Sequence, residues 1–176
     1  MWQKLSKNYP PQFELVALFL VLLTFYLTAS NYSSLLDKIP THFNFRGVPD
    51  DWDSRKELLV YPILSACLSI LFTVINVLLA IVKDPRKLIN LPPKRKAALS
   101  NAQIEKLRIF LNRSLFALKI LIQGLLAYSL YITIEVALFR ATSLGVPWFL
   151  FMVAILMLAG YMVWESFRIT SNPNPL

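Results

Sequence analysis

The chain is poor in the residues from which catalytic and metal centres are usually built. It has one cysteine and one histidine among 176 residues. A lone cysteine closes no internal disulfide and completes no cysteine–histidine zinc spacing. Cys67 lies inside an apolar run and reads as a small packing residue. A lone histidine excludes any multi-histidine metal site or histidine relay. Charge is scarce as well, at 16% of residues against about 25% in ordinary soluble domains. Acids are outnumbered, 10 against 18 lysines and arginines, which leaves a formal charge of +8. Spaced acids within apolar segments, which a proton relay would need, are missing. So are the glycine-broken half-helices of secondary transporters.

What the chain does have is long apolar runs. Hydrophobic residues make up 56% of it, and the mean hydropathy is +0.54. A helix needs about 20 mostly apolar residues to cross a bilayer. Four stretches qualify: one from about Phe13, then Leu58–Val82, Ser114–Phe139 and Val146–Phe167. Backbone polar groups inside a bilayer must satisfy one another, and helices do this within one segment. The expected fold is therefore an all-α integral membrane protein with four transmembrane helices. The first run, preceded by Lys4 and Lys7, reads as a retained anchor rather than a cleaved signal.

The basic residues set an expected orientation. Lys83, Arg86, Lys87, Lys94, Arg95, Lys96, Lys106, Arg108 and Arg113 crowd into the connection between the second and third runs. Such segments stay in the cytoplasm. Both termini are then cytoplasmic, and the connection after the first run faces outward. This distribution also makes anionic lipid head groups, rather than nucleic acid, the expected partner of the excess charge. Three parts follow: 1–83 with the first two helices and the outer loop, 84–112 as a basic connector, and 113–176 as a second helical hairpin with a short polar tail.

Within the connector, Asp84-Pro85 and Pro92-Pro93 break helix. "PKRK" reads as a solvated anchor beside acidic lipids. Ser100 and Gln103 then fit a capping box. Ile104, Leu107 and Leu111 follow at helical spacing, so an amphipathic helix should begin there and either enter the third span or bend near Asn112. "SLGVPW" at 143–148 reads as a tight outer turn, with Pro147 at a first helical position and Trp148 at the interface. Trp2 and Trp164 are its counterparts at the inner face.

Polar residues at membrane depth are few. Lys119 lies six residues into the third span and Glu14 at the start of the first. Lys119 either snorkels outward or pairs with Glu14. Glu135 lies near the outer end of the third span, where it can face the outer loop. Asn76 and Gln123 are suited to join helices by hydrogen bonds.

The outer loop, "IPTHFNFRGVPDDWDS" at 39–54, is the polar exception. In an extended segment His42, Asn44 and Arg46 share one face, with Phe43 and Phe45 on the other. Gly47 and Pro49 favour a turn that returns the acids toward His42. The expected outcome is a hydrogen-bonded cluster of His42, Asn44, Asp50 and Asp53. Four roles stay open for it. It is a rigid structural cap, a docking surface, an acid–base site with His42 and Asp50 but no placed nucleophile beyond the nearby Ser54, or a divalent-ion site using His42 with Asp50, Asp51 or Asp53. No catalytic residue is assigned, no cofactor is expected, and the metal is left open.

The order Pro40, His42, Phe43, Asn44, Gly47, Pro49, Asp50, Trp52 and then Pro62 resembles the bacterial membrane family known as domain of unknown function 1648, which forms the N-terminal part of SdpI-like immunity proteins. The resemblance is specific over about fifty residues. It implies a bacterial cytoplasmic-membrane protein with an outward motif whose polar core is His42, Asn44 and Asp50. It also implies a link to protection against a secreted, membrane-active peptide, and it carries no reaction with it. Two functions follow as expectations. One is a non-enzymatic membrane protein whose outer loop recognises a peptide or a membrane subunit, in immunity or as an accessory of a larger complex. The other is a metal-dependent or acid–base membrane enzyme using His42 and Asp50.

Overall fold

The computed structural model describes residues 11–87 and 93–171. Trp2, Lys4, Lys7 and the polar tail from residue 172 lie outside the described residues, as does Pro92. After a 3-10 turn at Pro11–Phe13 come helix α1 (Glu14–Asn31), strands β1 (Lys38–Phe43) and β2 (Pro49–Ser54), and helix α2 (Val60–Ile81). The short helix α3 (Pro93–Ala98), the long helix α4 (Asn101–Ala137) and helix α5 (Gly145–Ser171) follow. The four long helices are each apolar and long enough to cross a membrane. The all-α expectation needs one correction: the first connection is a two-stranded antiparallel β-hairpin rather than a loop.

The helix boundaries have local causes. Helix α2 ends where Asp84-Pro85 withdraws a backbone donor, and Pro93 opens α3 at a position where no donor is needed. Ser100 caps α4 as expected: its hydroxyl accepts from the Gln103 N–H, and the Gln103 side chain accepts from the Ser100 N–H. The helix then runs unbroken for 37 residues, through Asn112 and into the third span. It stops in a Schellman arrangement. Arg140 N–H donates to Glu135 O, Phe139 N–H donates to Val136 O, and Phe139 takes a left-handed φ of 60°. Pro147 falls in the third residue of α5 rather than the first, still within the turn where its missing N–H costs nothing.

Helix α4 is the centre of the bundle, packing against α1, α2 and α5. Gly124 lets the Phe151 ring of α5 come so close that an added Cβ would lie 2.8 Å from it. The outward faces stay apolar and open, as Phe19, Ile70 and Leu156 show. Lipid is the solvent that suits them. Cys67, read from the sequence as a small packing residue, sits on such an open face.

Polar side chains line the α2–α4 seam from one end to the other. Tyr61 hydroxyl meets Thr133 hydroxyl at 3.1 Å. Gln123 donates to Ser65 O at 2.8 Å, and Ser65 hydroxyl donates to Gln123 Oε1. Asn76 Nδ2 donates to Asn112 O and Oδ1, while Asn112 Nδ2 returns a bond to Asn76 O. Asn76, Asn112 and Gln123 are fully buried. Between these rungs Lys119 donates to Thr73 on α2 and to Glu14 on α1. The pairing of Glu14 with Lys119 therefore holds, and snorkelling does not.

Candidate functional site

Hairpin β1–β2 is built by its own motif. Asn44 forms the turn: its Oδ1 accepts from Arg46 N–H at 2.9 Å and Val48 N–H at 3.2 Å, and its backbone pairs with Val48 O and Gly47 N–H. Asparagine suits this because a short amide can replace a backbone acceptor. Gly47 takes φ +75°, a region in which side chains are strained. Pro49 opens β2, where a strand tolerates it. The register slips around Thr41, so Ile39 and Pro40 both bury while Thr41 and His42 both face out.

The hairpin is docked on the end of α4 in two places. Leu35, Ile39 and Leu58 pack on Leu130, Ile134 and Ala137. Phe43 and Trp52 pack on Ile132, Val136 and Leu144, with Trp148 beside them. Leu144, in the turn before α5, donates its N–H to Gly47 O and accepts from Tyr128 hydroxyl. Trp148 donates to Ser129 hydroxyl at 3.0 Å. The hairpin and the α4–α5 turn thus share one end of the bundle.

The expected four-residue cluster forms only in part. His42 Nδ1 lies 2.5 Å from Asp50 Oδ1, so these two do meet. Asn44 is taken by the turn instead. Asp51 and Asp53 each accept from the next residue's backbone N–H, so neither joins His42. The expected common face for His42, Asn44 and Arg46 also fails, because the strand ends at Phe43 and the chain turns at Asn44. Phe43 packs inward, whereas Phe45 is 86% exposed with Arg46 stacked over it. Glu135 does not reach the hairpin; it pairs with Arg140 in its own terminal turn, 3.6 Å away.

The pair is an open one. The His42 and Asp50 side chains are 66% and 43% exposed, and neither has a further hydrogen-bond partner among the described residues. Beside them opens a cleft of 350 Å³, with His42, Asn44 and Ser129 supplying polar groups and Phe43, Trp148 and Phe149 the apolar wall. Ser54 accepts from Lys56 N–H as the cap of the 3-10 turn Arg55–Leu59 and pairs in register with Lys38, at the other end of the strands from His42. Among the described residues no three histidine, cysteine or carboxylate side chains converge to hold a metal. An aromatic wall and one exposed ionisable pair can bind and orient a partner; the pair alone supplies no nucleophile.

Sequence reasoning missed Asn112, Ser65, Thr73, Tyr61 and Thr133. Each is unremarkable along the chain and becomes a partner only across the α2–α4 seam.

These features define a class: a four-span membrane protein with a motif-bearing hairpin docked on one end of the bundle. Residues 19–66, from within α1 to the first turns of α2, match the family described as Domain of unknown function (DUF1648), which is the family expected from the motif. The match contains the whole hairpin. The chain is also similar to an uncharacterized protein of Archaeoglobus fulgidus, 28% identical over 130 residues, covering 73% of this chain and 69% of that protein. No solved structure matches.

Proposed function

We propose that this is a non-enzymatic, multi-pass protein of the cytoplasmic membrane whose hairpin end faces outward and recognises a partner. The partner class is a membrane-active peptide, in an immunity-like role, or the outer surface of another membrane subunit. One observation carries the reading. Asn44, Gly47, Pro49 and Trp52 are spent on building and docking the hairpin, while His42 lines an aromatic cleft and holds the exposed Asp50 beside it. The pair is used neither by the turn nor by the apolar docking contacts, and its side chains face solvent. The orientation is supported by the basic residues of 83–113 at the opposite end, which favour the cytoplasmic side and its anionic head groups.

The test is capture of membrane proteins and peptides by the intact chain, compared with His42→Ala and Asp50→Ala. Both variants should insert and unfold like the parent, because neither side chain is buried. Partner capture, or cell survival against a membrane-active peptide, should fall at least tenfold. Unchanged capture in correctly inserted variants removes the pair from the mechanism.

A further inference from the structure

At the end of the bundle away from the hairpin, the start of α4 and the chain leaving α2 enclose a second cleft, of 340 Å³. Its charged lining is Lys83, Asp84, Arg86, Glu105 and Arg108, so cations exceed acids by three to two. The two arginines are fixed in place. Arg86 donates to Leu99 O and to Asn101 Oδ1, both at 3.0 Å, and its nearest carboxylate, Asp84, stands 3.9 Å off. Arg108 is 13% exposed; it pairs with Glu105 at 2.6 Å and donates to Val82 O at 3.3 Å. Its buried Nε–H has no acceptor among the described residues. Lys83 has no ion pair among them.

Position matters as much as charge. Val82 caps the last apolar turn of α2, so the cleft opens just beyond the end of that apolar span. Arg86 is held by the neutral oxygens of Leu99 and Asn101, so it keeps its charge for an incoming anion and loses little freedom on binding it, while the charge of Arg108 is offset by Glu105. Basic pockets between spanning helices at this depth suit phosphate-bearing head groups.

We propose that the cleft lined by Lys83, Arg86 and Arg108 is a binding site for a phosphate-bearing anion, supplied by an anionic phospholipid head group or by free phosphate. The inference stands apart from the hairpin and from the direction of the chain in the membrane.

The experiment uses the full chain in lipid nanodiscs and in detergent. Retention of phosphatidylglycerol over phosphatidylcholine is read by native mass spectrometry, and inorganic phosphate is titrated in parallel. Lys83→Gln should reduce phosphatidylglycerol retention about fivefold, the effect of one cation close to an anionic group. Asp84→Asn should raise it by a similar factor, and its amide can still accept from Arg86 N–H as Asp84 now does at 3.1 Å. Lys106→Gln, an exposed cation outside the cleft, should leave it unchanged. Competition by phosphate, with the same order among the variants, assigns the site to the phosphate group itself. Phosphate binding without lipid preference identifies free phosphate as the source. Equal losses in Lys83→Gln and Lys106→Gln mean diffuse surface attraction and overturn the proposal. So does the absence of both lipid preference and phosphate binding in the parent chain.

Discussion

Lys119 and Glu14 stand 105 residues apart in the chain, yet the lysine Nζ lies 2.5 Å from the glutamate Oε2. The lysine side chain is wholly buried and the glutamate 27% exposed. Thr73 supplies the second acceptor at 2.7 Å, so one ammonium ties α1 and α2 to α4. Such a pair is costly to break because the survivor keeps its charge without its partner. Glu14→Ala should therefore destabilise the protein by about 3 kcal/mol, at the lower end of the range for buried pairs. The double variant Glu14→Leu/Lys119→Met should recover most of that loss. Thermal unfolding in detergent checks both; a double variant as unstable as Glu14→Ala would show that the charges hold the helices together by their attraction.

Asn76 and Asn112 exchange three hydrogen bonds in a fully buried seam. Interhelical hydrogen bonds of this kind are worth about 0.6–2 kcal/mol in membranes. Asn76→Leu should cost about 2 kcal/mol, since it strands Asn112 as well as removing the bonds. Asn76→Leu/Asn112→Leu should cost less than the sum of its two single variants. A double-mutant cycle on unfolding in mixed micelles measures the coupling, and strict additivity would mean that the two side chains do not act together.

Gly47 is held both by its backbone angle and by its neighbour. At φ +75°, an added Cβ would lie 3.2 Å from Leu144 Cβ. Gly47→Ala should destabilise the hairpin by about 1–3 kcal/mol. The effect should be local: exchange of the Leu144 amide hydrogen, which now bonds to Gly47 O at 2.8 Å, should quicken by at least fivefold while the α2–α4 seam stays protected. Hydrogen exchange by mass spectrometry resolves the two regions.

Orientation is open to a direct chemical test. Phe45 is 86% exposed at the hairpin end, and Lys106 is exposed at the basic end. With Cys67 replaced by alanine, Phe45→Cys in intact cells should react with a membrane-impermeant thiol reagent, and Lys106→Cys should react only after lysis. The reverse pattern would put the hairpin inside the cell and end the recognition proposal.

The spans were legible in the sequence because crossing a bilayer demands a length of apolar chain that few other structures need. The start of α4 was legible because Ser100 and Gln103 satisfy each other within one turn. The Glu14–Lys119 pair was one of two outcomes legible in the sequence, because a lysine at that depth must either reach out to water or find an acid. The turn that returns Asp50 to His42 was legible in Gly47 and Pro49, but the paired strands on either side of it were not. The strands are six residues each, one opens on proline, and a slip at Thr41 destroys the alternation that would announce a strand. Asn112 looked like a place to bend, and only its opposite number on α2, Asn76, reveals what its side chain is for. Asn44 looked like part of a polar cluster because nothing along the chain says that its amide is needed by Arg46 and Val48.

Helix α4 has a consequence for the choice of membrane. Its 37 residues make a rod about 55 Å long, while the hydrocarbon layer is about 30 Å thick. Roughly 25 Å must therefore stand outside the oil. The docked hairpin occupies one tip, so the surplus emerges at the lysine- and arginine-rich tip. A thicker bilayer would draw more of that charged stub toward the lipid, and a thinner one would tilt the rod. Bilayer thickness thereby sets how much of the basic end of α4 stands in water.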